Sequence, residues 1–188
     1  MSTTALEQAI RSTSKVLAGV QSDQLDASTP CASWKVSEVI NHVVGGQYFF
    51  AAMASGDSLG SEPPPDFASS DYAATFDRVA AATVTAFQSD GAMDKTMHLP
   101  FGDLPGSAVV NLAATDTFVH GWDLACATGQ DTNLDPELAA VLLAGARMSI
   151  PDSFRGADGQ APFGAEQVAP SGATNADKLA AFLGRVVH

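Results

Sequence analysis

Apolar side chains recur at helical spacing in six stretches of the chain, and Pro, Gly and Ser separate one stretch from the next. Leu6, Ile10, Leu17 and Val20 predict a first helix over about residues 4–20. After a loop carrying Thr29-Pro30-Cys31 and Trp34, the positions Val36, Val39, Ile40, Val43, Phe50 and Met53 predict a second helix over about 36–55. Gly56 and the Pro63-Pro64-Pro65 cluster should end it and stiffen the connection that follows. Tyr72, Phe76, Val79, Ala80 and Phe87 mark a third helix over about 69–89. From Thr96 to Leu104 the helical period is lost, and Met97-His98-Leu99-Pro100-Phe101-Gly102 reads as a short, Pro-limited hairpin.

Ser107 is the expected cap of a long fourth helix reaching about Thr128, with Gly129 as its stop residue. Asp135-Pro136-Glu137 opens a fifth, since Asp accepts from exposed N–H groups and Pro suits the first turn; Ile150-Pro151 closes it. Residues 156–173 hold four Gly and two Pro without periodicity and are expected to be a long loop. A last helix from Thr174 or Asn175 should bury Leu179, Phe182, Leu183 and Val186. The expected fold class is all-α: a helical bundle with additional helices, short connections and one β-hairpin, forming one domain over residues 1–188. A doubly wound α/β fold would need several apolar strands, which this chain lacks.

Composition narrows the function classes. The chain has 188 residues, 9 Lys+Arg against 21 Asp+Glu, a formal net charge of −12, and only 16% charged residues. Its basic residues are scattered from Arg11 to Arg185, so no patch is present to track phosphates; nucleic acid and anionic membranes are excluded as partners. Val39–Gly56 is free of formal charge for 18 residues, but Asn41, His42 and Gln47 within it argue against a membrane span. The N-terminus has acidic Glu7 and no apolar core of a signal peptide. Cys31 and Cys126 are too few for a disulfide scaffold and are expected to be buried, reduced thiols in a cytoplasmic protein.

The candidate chemistry lies in the histidines. His42 follows Val39 by three positions and so faces inward on the second helix. Asp116 and His120 are four apart on the long helix and stack on one face, with Leu112 and Val119 as apolar neighbours. One inward His and an inward Asp/His pair would supply three ligands to a divalent metal between facing helices. A buried Asp116 without a partner costs several kcal/mol or protonates, and a metal removes that penalty. Three protein ligands with one open position match catalytic rather than structural zinc. Spacing alone leaves other readings open: inward histidines are commonly hydrogen-bonded core residues, and i,i+4 Asp/His pairs commonly decorate helix surfaces. Asp123 is read either as a carboxylate orienting His120 or as a surface charge, Trp34 and Trp122 as core packing, and His98 and His188 as lying outside the site. No HExxH, GxGxxG, Walker A or GxSxG motif occurs.

Thr29-Pro30-Cys31-Ala32-Ser33-Trp34-Lys35-Val36, continuing to Val39-Ile40-Asn41-His42-Val43-Val44-Gly45-Gly46, resembles the first motif of the mycothiol-dependent maleylpyruvate isomerase N-terminal (DinB-like) family. Leu99-Pro100-Phe101-Gly102 with Pro105-Gly106 resembles the family's hairpin, and Asp116-Thr117-Phe118-Val119-His120-Gly121-Trp122-Asp123 its second metal motif. Leu179-Ala180-Ala181-Phe182-Leu183-Gly184-Arg185 resembles the ending of short actinobacterial members.

The resemblance implies a DinB-like four-helix bundle in which His42, Asp116 and His120 hold a divalent metal, most often zinc, with nickel or another ion as alternatives. It further implies mycothiol as a thiol cosubstrate, a small-molecule electrophile as partner, and isomerase or S-transferase chemistry. The competing expectation is a non-catalytic bundle that binds a metal or small ligand, since no general base or anion-binding Arg stands beside the motifs in sequence. Asp116 stands where the isomerase-type motif carries the longer Glu. The isomerases proper have a further C-terminal domain, for which 188 residues leave no room. The 156–173 loop or the hairpin is a candidate gate. A homodimer is compatible with the fold, but no heptad seam demands one.

Overall fold

The computed structural model describes residues 2–31, 33–57, 64–99, 102–157 and 160–188. Among these, six helices and one hairpin follow the order α1 (Thr4–Gly19), α2 (Val36–Ser55), α3 (Tyr72–Gln88), β1 (Thr96–Leu99), β2 (Gly102–Pro105), α4 (Gly106–Ala127), α5 (Pro136–Ser149) and α6 (Asn175–Phe182). Helix α1 packs on α4 and α2 on α3, while α2 also faces α4 and α1 faces α3. These four close a bundle; α5 and α6 pair beside it, α6 against α4. No described helix is long and apolar enough to cross a membrane.

Side-chain caps set several boundaries. Asp71 accepts from the Ala74 N–H at 3.1 Å, so α3 starts at Tyr72, three residues later than the periodicity suggests; Phe67–Ser69 form a separate 3-10 turn. Asp135 accepts from the Leu138 N–H at 3.1 Å with Pro136 in the first turn of α5, as expected. Thr174 Oγ1 accepts from the Asp177 N–H at 3.1 Å and the Thr174 N–H donates back to the Asp177 carboxylate, a reciprocal cap for α6.

The expected cap at Ser107 is not used. Helix α4 already begins at Gly106, whose N–H donates to Lys95 O at 2.8 Å. A Cβ at Gly106 would lie 1.9 Å from Ala92 O, so only glycine lets α4 start this close to the preceding turn. The hairpin is antiparallel, pairing Met97 with Leu104 and His98 with Asp103, and it sends Met97 and Leu99 into the core. The hairpin's Pro100 and Phe101, and Pro63 of the proline cluster, lie outside the described residues.

The end of the chain departs from expectation. Helix α6 stops at Phe182, Gly184 takes φ +101°, and Val186 is exposed rather than buried; Leu179, Phe182 and Leu183 are buried as predicted. The 156–173 segment has no helix or strand among its described residues. Arg155 braces it, donating to Gly164 O at 3.0 Å and to Phe182 O at 2.7 Å while its guanidinium lies over the Phe182 ring. Cys31 is half-buried and Cys126 is exposed at the end of α4, so the expected burial of both thiols fails for Cys126. The two are not bridged.

Inside the bundle, a neutral polar layer joins all four helices. Thr13 Oγ1 donates to Thr117 O at 2.8 Å, Gln47 Nε2 donates to Thr117 Oγ1 at 2.8 Å, and Thr83 Oγ1 lies 2.9 Å from Gln47 O and 3.0 Å from Val79 O. All four side chains are buried, and Gln47 Oε1 has no partner among the described residues.

Candidate metal centre

The loop before α2 and the facing turns of α2 and α4 create a second polar region, where α2 begins and α4 finishes. An isolated bridge between Ser28 and Lys35 closes the loop, and Thr29 Oγ1 donates to Trp34 O at 2.8 Å. The Lys35 N–H donates to the Glu38 carboxylate at 2.7 Å, fixing where α2 starts. Two turns on, His42 faces α4. There Asp116 and His120, one turn apart, meet it: His42 Nε2 lies 3.2 Å from Asp116 Oδ1, and His120 Nε2 lies 3.6 Å from the same oxygen. Donor atoms of the three residues all lie within 4.8 Å of one another. The fold therefore brings together the three residues singled out from spacing. A Cβ at Gly46 would stand 3.6 Å from Asp116 Oδ2, so the next turn of α2 lies directly beside the carboxylate.

The electrostatics are uneven. Burial disfavours ionisation of Asp116, but the charge and hydrogen bond of His42, with His120 nearby, pull its carboxyl down to about 2. Burial opposes charge on His42 too, yet the Asp116 carboxylate outweighs it and raises this imidazole above its usual range. His120 goes the other way: it is buried, and that burial lowers its pKa despite the acids beside it. His120 Nδ1 lies 3.0 Å from Asp123 Oδ2. Asp123 is fully buried, and Arg185 donates to it twice, from Nη2 to Oδ2 at 2.8 Å and from Nε to Oδ1 at 3.2 Å. Burial resists its charge, but Arg185 first and the His120 hydrogen bond second keep it below the ordinary carboxylate range.

The donor set suits a divalent cation. In a tetrahedral site with bonds of about 2.0–2.1 Å, adjacent ligand atoms stand roughly 3.4 Å apart. The 3.2 and 3.6 Å separations bracket that edge. Two imidazoles suit zinc and nickel alike, and a carboxylate oxygen is a ligand that zinc also takes. A second grouping, Cys31 with His120 and Asp123, shares the His120 side chain, but both Asp123 oxygens already accept from Arg185.

The sequence model described as the mycothiol maleylpyruvate isomerase N-terminal domain matches residues 6–125, from α1 to the last turn of the Asp116–His120 helix. The chain belongs to this family. Among its relatives are two Mycobacterium tuberculosis proteins, uncharacterized protein Rv0738 of strain H37Rv and uncharacterized protein MT0763 of strain CDC 1551. Each is 42% identical over 175 residues, covering 92% of this chain and 91% of theirs. Among solved structures, the crystal structure of the mycothiol-dependent maleylpyruvate isomerase superposes with a TM-score of 0.57 at 14% identity, over 73% of this chain and 66% of the isomerase; a histidine-to-alanine mutant of that enzyme matches equally. The maleylpyruvate isomerase fold, a DinB-like helical bundle with a small hairpin, is thus the fold of this chain.

Two residues at the site were not expected there. Trp34, read from sequence as core packing, is only half-buried and its ring centroid lies 4.6 Å from His42 and 5.5 Å from His120. Arg185 lies 60 positions beyond the end of the family match, and its only sequence signal is a lone basic residue in the apolar ending after Leu179. Asp123, for which two readings stood open, is the buried partner of His120 and not a surface charge. Trp122 is core: it is buried and its Nε1–H donates to Asp177 at 2.9 Å. His98 pairs with Asp103 on the exposed hairpin and His188 is exposed, as expected.

Proposed function

We propose that this family member holds a divalent metal, zinc in the first instance, on His42, Asp116 and His120, and serves thiol-dependent S-transfer or isomerisation of a small electrophile with mycothiol as cosubstrate. One observation carries the reading: three metal-ligating side chains converge with their donor atoms within 4.8 Å of one another, and His120 Nε2 faces a carboxylate oxygen at 3.6 Å. Without a proton or cation between them, that contact is repulsive. The thiol dependence rests on the family and on the isomerase whose fold the chain shares.

Such an ion, when bound, lowers the pKa of a thiol or water at its open position and so makes a nucleophile available near neutral pH. The chain's own residues supply the rest. Asp116 contributes the one negative charge among the three donors, so an ion keeps net positive charge for an anionic thiolate. His42 exchanges its Nε2 proton for the ion and must release that proton to solvent, which its partial exposure allows. Trp34 covers the two imidazoles on one side, where it excludes water and offers a flat face to a substrate.

Metal analysis and chelator-competition titration of the purified chain test the metal. About one zinc or nickel per wild-type chain and none in His120→Ala is expected; equal, near-zero metal in both overturns the reading. Thiol consumption with mycothiol and a panel of electrophiles tests the reaction. Turnover that needs the metal supports it, whereas tight metal binding with no turnover makes the chain a binding module.

A further inference from the structure

Resting on the metal reading above, we infer that Asp123 and Arg185 form a positioning pair that fixes His120 as an Nε2 ligand, so the C-terminal segment completes the site. Asp123 Oδ1 and Oδ2 each receive an N–H from Arg185, at 3.2 and 2.8 Å. A carboxylate saturated by two guanidinium donors acts toward a third neighbour only as an acceptor. The proton between Asp123 and His120, 3.0 Å apart, therefore belongs to Nδ1 of the imidazole. In the neutral ring Nε2 is then bare, and Nε2 is the atom turned toward Asp116 and His42. Carboxylate–histidine pairs behind metal ligands act in this way, setting both tautomer and ring orientation.

Arg185 is held for this task. Its third donor, Nη1, bonds Leu183 O at 3.2 Å, and the side chain is about 90% buried. Gly184 at φ +101° turns the chain from α6 toward Asp123, and a Cβ there would stand 2.7 Å from Gly164 Cα, so backbone packing fixes the turn. With three of its five N–H groups given to Asp123 and Leu183, and its side chain about 90% buried, Arg185 is placed to act through Asp123.

The test uses the full chain. Long-range proton–nitrogen spectra of the imidazoles in metal-free protein report the tautomer, and chelator competition reports zinc affinity. His120 in the wild type is expected to carry Nδ1–H. Asp123→Asn turns an amide donor toward Nδ1, shifts the proton to Nε2 and weakens zinc binding roughly 10–100-fold. Because a single change leaves a buried charge unpaired, Asp123→Asn/Arg185→Gln is measured beside it: it removes both charges, is expected to fold, and retains the affinity loss. Arg185→Lys keeps the charge and should keep the Nδ1–H tautomer with a smaller loss.

Wild-type zinc affinity in the folded double variant makes the pair purely structural and overturns the inference, as does an Nε2–H tautomer in the wild type. A wild-type chain with the Nδ1–H tautomer that takes up no zinc overturns the metal reading itself, and with it the role of the pair, which sets that failure apart from the other two.

Discussion

A buried and a partly buried polar region lie side by side in this bundle, since Asp116 and Thr117 are chain neighbours, and they are built on opposite rules. The layer of Thr13, Gln47, Thr83 and Thr117 is neutral, and hydroxyl and amide donors find acceptors on facing helices, leaving only Gln47 Oε1 over. Such a layer fixes helix register largely from its own donors and acceptors. The region of His42, Asp116 and His120 gathers ligating atoms around one carboxylate oxygen, with a single N–H contact to satisfy it from the α2 side. Behind it, Asp123 and Arg185 are fully paired. The bundle can thus satisfy polar groups in either region, and the proposed cation belongs to the one that gathers ligating atoms. Polar burial alone does not mark a functional site; what separates the two regions is the kind of side chain gathered, hydroxyls and amides in one and metal-ligating imidazoles and a carboxylate in the other.

The sharpest way to break this contrast is His120→Ala. Zinc affinity should fall by more than roughly 100-fold, since a ligand is lost rather than a group that orients one. A variant that still binds one zinc as tightly would put the ion elsewhere. Next in size, Thr117→Val strips the neutral layer of the acceptor for Gln47 Nε2 and should cost about 1–3 kcal/mol in denaturant unfolding. Its zinc stoichiometry should stay that of the wild type; lost zinc would show that the two regions are one unit.

Acid separates them further. Asp116 ionises at about 2 in the fold against an ordinary 3.8, so the fold favours its charged form. That stabilisation is complete above about pH 4 and is lost as the pH falls toward 2, of order 2 kcal/mol or less for the metal-free chain. Asp123, lowered in the same sense, adds to the slope. Unfolding measured from pH 5 to pH 2 should therefore be flatter in Asp116→Asn, and an equally steep profile would remove Asp116 from the account. The smallest effect belongs to Gln47→Met, which deletes an unpartnered buried oxygen together with one good hydrogen bond. These changes oppose each other, and stability should move by less than about 1 kcal/mol; a loss above about 2 would mean that Oε1 has a partner, such as buried water.

The helices were legible because their apolar positions follow the 3.6-residue period and because Asp135, Pro136 and Thr174 announce their starts. Spacing also brought His42, Asp116 and His120 to the fore, since i,i+4 geometry is local. What failed depends on tertiary packing. Ser107 looks like a cap, but the approach of Gly106 to Ala92 O starts α4 earlier. Val186 continues the apolar period of α6, yet Gly184 breaks the helix before it. Cys126 lies within a helix that is buried from Thr117 to Ala125 and still faces out, because α4 reaches its exposed end there. Trp34 and Arg185 were beyond reach for another reason: each meets the site across a loop or a span of 62 residues, and no local pattern encodes such a meeting.

That span has a consequence for the order in which the molecule comes into being. Asp123 is synthesised 62 residues ahead of Arg185, which at about 5–20 residues per second is a delay of roughly 3–12 s. Helices α1 to α4 can pair during that interval, but Asp123 has no guanidinium to balance it. If Asp123 and Arg185 position His120 as inferred above, that imidazole is the last of the three side chains to be locked in place. Newly made chains should pass through a state whose bundle is closed while its histidine pocket is still loose.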